Sequence, residues 1–67
     1  MISQEEKNRL NRKEVKIEIG KHVYSGVIVG RLERYPSVWV KEMFQSNFRF
    51  AWETVRRAVD EGHTLKV

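Results

Sequence analysis

Residues 14–29, Glu14-Val15-Lys16-Ile17-Glu18-Ile19-Gly20-Lys21-His22-Val23-Tyr24-Ser25-Gly26-Val27-Ile28-Val29, decide the fold. Val15, Ile17 and Ile19 alternate with Lys16 and Glu18, the period of a strand with one face in a core and the other in water. Gly20-Lys21 supplies a turn. Residues 22–33 are rich in β-branched side chains but run long for one straight strand. Gly26 and Gly30 interrupt them where a strand can bend or another backbone can approach. A bent strand shared by the two halves of a small barrel is predicted.

Toward the C-terminus, Arg34-Tyr35-Pro36-Ser37 reads as a turn, because Pro36 fixes its own φ and biases Tyr35 away from helix. Residues 37–43 follow as a third strand, with Val38 and Val40 on one face and Trp39 and Lys41 on the other. Gln45-Ser46-Asn47 is the turn into a fourth, where Phe48, Phe50 and Trp52 point inward and Arg49 and Ala51 outward. Each of these rings buries on the order of 150 to 250 Å2, which makes them core first and binding surface second. In residues 53–61, Ala58 and Val59 continue a helical spacing from Ala51 and Val55, and Gly62 is placed to end a helix. A short helical turn is expected there. Residues 63–67 then form a last strand whose Leu65 and Val67 face inward and close the barrel against the first.

Toward the N-terminus, Ser3 with Glu6 three residues on has the spacing of a capping box, and Glu5 and Glu6 suit the positive end of a helix dipole. A helix over residues 3–12, within an N-terminal segment 1–13, is predicted. With only Ile2 and Leu10 apolar, it attaches lightly or frays.

The 67 residues amount to one small domain, which at this size buries only about 60% of the unfolded chain's surface. With no cysteine, neither disulfides nor thiolate zinc sites stabilise it, so the seven aromatics or self-association must. No apolar run exceeds Val27-Ile28-Val29, far from the roughly 20 residues of a membrane span, and no secretory signal is visible. A cytoplasmic location without membrane partners is expected. Thirteen Lys and Arg against nine Asp and Glu leave a net charge of +4, which biases the chain toward acidic partners.

Short strands, tight turns and the absence of βαβ alternation predict a mainly β domain. Its expected form is a five-stranded antiparallel barrel of SH3-like or Sm-like type, with an N-terminal helix and a helical turn before the last strand. The alternative is an α+β domain in which residues 52–61 form a full helix on a three- or four-stranded sheet. Ser25-Gly26-Val27-Ile28, followed by Tyr35-Pro36-Ser37-Val38-Trp39-Val40, resembles the core of the Veg family of small bacterial proteins. That resemblance implies a cytoplasmic SH3-like barrel with a regulatory role. The element layout, with Arg49-Phe50-Ala51-Trp52-Glu53-Thr54-Val55 near the end, is similar to the Sm-like RNA chaperones of the Hfq family. Where that family offers RNA a lysine–histidine pair, this chain carries Arg49 and Phe50.

No residues combine into a catalytic set. His22 and His63 lack Asp, Glu or Cys at metal spacing, and the adjacent carboxylates Glu5-Glu6 and Asp60-Glu61 point apart on a helix and suit its ends. No serine lies in a nucleophile-elbow pattern and no glycine loop resembles a phosphate cradle. A non-enzymatic role without cofactor or metal is expected.

Two binding surfaces suggest themselves. Lys13, Lys21, Arg31, Arg34, Arg49, Arg56 and Arg57, with Tyr35 for stacking, form a candidate nucleic-acid site if the loops of a barrel gather them at one rim. Interleaved acids such as Glu14, Glu33 and Glu53 supply the competing reading of ordinary solvated pairs. Tyr35, Trp39 and Phe44 form a candidate aromatic patch for a protein partner or a second copy of the chain, which a sheet edge could also recruit.

Overall fold

The computed structural model describes residues 2–44 and 46–67. Helix α1 (Gln4–Leu10) starts at the expected cap, Ser3, whose hydroxyl accepts from the Glu6 amide at 3.3 Å. It does not fray from the rest: Leu10 is fully buried and Ile2 nearly so.

Strand β1 (Glu14–Ile19) and strand β2 (His22–Val29) form the predicted hairpin, Ile19 pairing with His22 across Gly20-Lys21. Gly20 takes the positive φ of 62° that this tight turn requires. The long second strand ends at Gly30, whose φ of +123° is open only to glycine. Gly26 serves differently. A Cβ there would overlap Val38 Cγ1 and sit 3.3 Å from the Trp39 carbonyl oxygen, so the missing side chain lets β2 and the next strand close together.

Strand β3 (Ser37–Val40) shows the predicted alternation, with Val38 and Val40 fully buried and Trp39 outward. It is shorter than expected, because residues Lys41–Met43 form a 3-10 turn ending at Phe44 in left-handed conformation. Strand β4 (Ser46–Arg49) includes Ser46 and Asn47, which the sequence assigns to a turn; Asn47 pairs with Trp39. Gln45 lies outside the described residues.

The expected run of Phe48, Phe50 and Trp52 along one strand is also corrected. β4 stops at Arg49, and Trp52 opens helix α2 (Trp52–Glu61), a ten-residue helix rather than a short turn. All three rings still serve the interior. Trp52 is 3% exposed, and half-buried Phe48 and Phe50 pack against the same cluster. Gly62 ends the helix at φ 75°, as predicted. Strand β5 (Leu65–Lys66) buries Leu65 but leaves Val67 exposed, contrary to the inward position expected for it.

The sheet order is β4-β3-β2-β1-β5. β5 runs parallel to β1, whereas the other neighbours are antiparallel, so the sheet is mixed. β4 and β5 stand at opposite ends of that order without pairing, so the expected closed antiparallel barrel is a curled half-barrel instead. The reason is α2. A helix spans the chain between β4 and β5, and its Trp52, Val55 and Ala58 join Ile17, Ile28, Val38, Val40 and Leu65 in the core, where closing strands would otherwise lie. Both helices thus cover the concave face, and Arg9 ties them together through a forked pair of hydrogen bonds to Asp60, at 2.9 and 3.0 Å. Among the described residues no helix is long and apolar enough to cross a membrane.

Candidate functional site

Strand register decides which of the scattered cations meet. Val29 pairs with Ser37 and Ser37 with Arg49, so the end of β2, the start of β3 and the end of β4 share one rim of the sheet. The first residues of β1 share it too. The Ile28 amide donates to the Lys13 carbonyl at 3.0 Å, and the Arg12 amide to the Ile28 carbonyl at 2.7 Å. Arg12 reaches this position with a φ of 67°.

The loop of residues 30–36 crosses the same rim and is held from within. The Glu33 amide donates to the Gly30 carbonyl at 3.0 Å, and Gln4 Nε2 of α1 donates to the Arg31 carbonyl at 3.0 Å. Trp52 Nε1 of α2 donates to the Glu33 carbonyl at 2.9 Å, and the Phe50 amide to the Pro36 carbonyl at 3.4 Å. With its carbonyls engaged and Pro36 buried, the loop turns Arg31, Leu32, Glu33, Arg34 and Tyr35 to solvent. The Arg34 guanidinium lies 5.5 Å from the centre of the Tyr35 ring, a cation–π distance.

The rim therefore gathers Lys13, Arg31, Arg34, Tyr35 and Arg49 of the predicted set and adds Arg12. The rest of that set lies elsewhere. Lys21 occupies the hairpin turn at the opposite end of β1 and β2. Arg56 faces Glu6 of α1 at 3.9 Å, and Arg57 borders a groove of about 310 Å3 with Phe50, His63 and Lys66. Among the described residues the ion pairs are Arg9–Asp60, Arg56–Glu6 and His63–Glu61, none of which uses a rim cation. The Arg9 hydrogen bonds hold the Asp60 carboxyl below its ordinary pKa and raise that of Arg9. No group of three or more His, Cys, Asp or Glu capable of holding a metal occurs among the described residues.

Tyr35, Trp39 and Phe44 do not form one patch. Tyr35 precedes β3 at the rim, whereas Phe44, 97% exposed, follows the 3-10 turn at the other end of that strand. Trp39 stands between them on the convex face, 38% exposed, with Val27 of β2 on one side and Asn47 of β4 on the other. Val29, one row toward the rim, is 42% exposed. The sequence reading did not assign Val27, Val29, Leu32 or Asn47 to a surface. The signal for the valines was present: flanking the inward Ile28, both had to face outward.

No family model matches this chain, no curated protein matches it, and no solved structure matches it.

Proposed function

We propose that this chain is a nucleic-acid-binding protein, without catalysis, whose sheet rim engages the phosphate backbone. The observation that supports this reading is the loop of residues 30–36. Bonds from both helices fix its backbone, Arg31 borders one groove with Arg12 and Arg34 another with Lys7 and Glu53, and Lys13 and Arg49 lie on the same rim; none of these cations enters an ion pair among the described residues. A preordered cluster of cations loses little entropy on meeting phosphates, and each contact releases condensed counterions. Tyr35, 46% exposed and already beside a guanidinium, adds a surface on which a base can stack.

Fluorescence anisotropy with a labelled oligonucleotide tests this across a salt series. If four or five phosphates are contacted, log K should fall with log salt at a slope of about −3 to −4.5. Replacing Arg31, Arg34 and Arg49 together by Ala should reduce that slope by about 2 to 3, while Lys21→Ala, at the far end of the hairpin, should leave it unchanged. A slope near zero, or equal loss in the Lys21 control, refutes the proposal.

A second reading, self-association, draws on one specific feature. β4 is an edge strand of four residues with nothing paired to its outer side among the described residues, and such an edge can accept a second copy. Its test is the mass in solution. A dimer abolished by replacing Asn47 with Pro, which has no amide hydrogen, would favour it, and a monomer at high concentration would exclude it.

A further inference from the structure

We infer that the convex sheet face around Trp39 is a base-stacking platform, and that the nucleic acid bound is single-stranded. This rests on the rim reading above and deepens it by naming the ligand class.

The register places two adjacent rows on this face. Val27, Trp39 and Asn47 form one row, and Val29, Ser37 and Arg49 the next toward the rim. Beyond the second row stands the loop with Arg34 and Tyr35. Toward the rim the exposed indole is thus followed by the Arg49 guanidinium, while the Tyr35 ring turns to the helix side, in a groove with Ile2, Lys7 and Trp52. That order sets a surface for a base beside charge for a phosphate. Asn47 beside the indole carries an amide that both donates and accepts, which suits an exposed base edge.

Both helices lie on the concave side, and on these rows Val27, Val29, Trp39, Asn47 and Arg49 are exposed while Ser37 between them is buried. The exposed apolar surface of Val27, Val29 and Trp39 is bordered by Arg49 and by the rim cations, the charge that a polyanion complements.

A duplex is the poorer fit, because reading one normally takes a helix or ribbon that enters a groove. α1 has seven residues and commits Arg9 to Asp60. α2 buries Trp52, Val55 and Ala58, and its Arg56, paired with Glu6, and Arg57 are flanked by Glu53, Asp60 and Glu61. Neither presents a continuous basic face. A single strand, by contrast, leaves its bases open to stack on a flat aromatic surface.

The experiment uses Trp52→Phe protein, in which Trp39 is the sole tryptophan, titrated with a 12-nucleotide oligothymidine and separately with a 12-base-pair duplex. The expected result is quenching of Trp39 by the single strand and weaker duplex binding. In the otherwise wild-type chain, Trp39→Leu should weaken single-strand binding on the order of ten- to a hundred-fold, with unchanged circular dichroism as the folding control. Because the Trp52→Phe change also alters the loop, affinities are compared in the wild-type background by anisotropy.

Equal affinity for both ligands with no effect of Trp39→Leu overturns the platform while leaving the phosphate reading standing. Failure of both ligands to bind overturns both readings. A dimer that buries Trp39 without nucleic acid overturns the platform as well, since the face would then belong to a second copy.

Discussion

Replacing Gly26 by Ala should destabilise the fold, even though alanine tolerates the backbone there and restricts the unfolded chain. Gly26 lies on the concave face between Val15 of β1 and Val40 of β3, and it has no positive φ. A methyl group there would overlap Val38 Cγ1 and stand 3.3 Å from the Trp39 carbonyl oxygen and 3.7 Å from that of Val15. Val38 is fully buried against Ile28 and its neighbours and has no outward path, and the carbonyls belong to strands held in register. Overpacking of this kind costs about 1–3 kcal/mol, and the entropic gain of Gly→Ala offsets only about 0.4–1 kcal/mol of it. The net loss should be about 1.3 kcal/mol, or roughly 5–10 °C in Tm for a domain of this size.

Urea unfolding followed by far-UV circular dichroism measures this directly. A double-mutant cycle with Val38→Ala isolates the cause. Val38→Ala alone leaves a cavity and should cost about 2–3 kcal/mol. In the double variant the new methyl occupies part of that space, so the losses should fall short of additivity by about 1–2 kcal/mol. Gly26→Ala as stable as the wild type, or strict additivity in the cycle, would refute the close approach of β2 and β3 as the reason for glycine.

Other outcomes follow from the same structure. Leu10→Ala should cost about 2–5 kcal/mol in urea unfolding, because this fully buried side chain anchors α1 to the core; a negligible loss would mean that α1 is an appendage. Trp52→Phe keeps an aromatic ring but loses the indole bond to the Glu33 carbonyl, so stability should fall by about 0.5–1.5 kcal/mol and amide exchange should quicken in residues 31–35. Asp60 has its carboxyl pKa lowered by the Arg9 hydrogen bonds, so the pair stabilises the fold above the ordinary carboxyl value and ceases to do so as pH falls through the lower folded value. Across about pH 2 to 6, wild type should therefore be the more stable at the upper end and converge with Asp60→Asn at the lower; a gap independent of pH would assign the effect to packing.

The hairpin of β1 and β2 was legible because its signals are local. Val15 and Ile17 alternate with charges, Gly20 permits the turn, and Ser3 with Glu6 announces α1. Residues that owe their state to distant partners were not legible. Ala51 caps α2 without a side-chain hydrogen bond, so no cap residue marked its start, and Trp52 extended an alternation that a strand would also have shown. Two-residue β5 is fixed by pairing with β1, and nothing in so short a segment specifies a parallel direction. Asn47 is a turn former that the pairing with Trp39 draws into a strand. The cations divide in the same way. A correct register alone would have joined Arg49 to the loop and sent Lys21 to the other end, but the capture of Arg56 by Glu6 depends on how the two helices pack.

The division of labour between the two sheet faces links stability to the proposed binding. The concave face is filled by α1 and α2, while Val27, Val29, Trp39, Asn47 and Arg49 of the convex rows are exposed. The same helices reach the rim, where Gln4 and Trp52 take up two loop carbonyls, while Lys7 of α1 lies 5.7 Å from the centre of the Trp52 ring. Core packing therefore sets the position of Trp52, and Trp52 in turn sets that of the loop bearing Arg34 and Tyr35. A loop ordered in this way keeps its cations on the rim without pairing them with acids, which in a chain so rich in glutamate would otherwise neutralise the rim. The order in the loop derives from backbone carbonyls rather than from its own side chains, and so those side chains stay available to a partner.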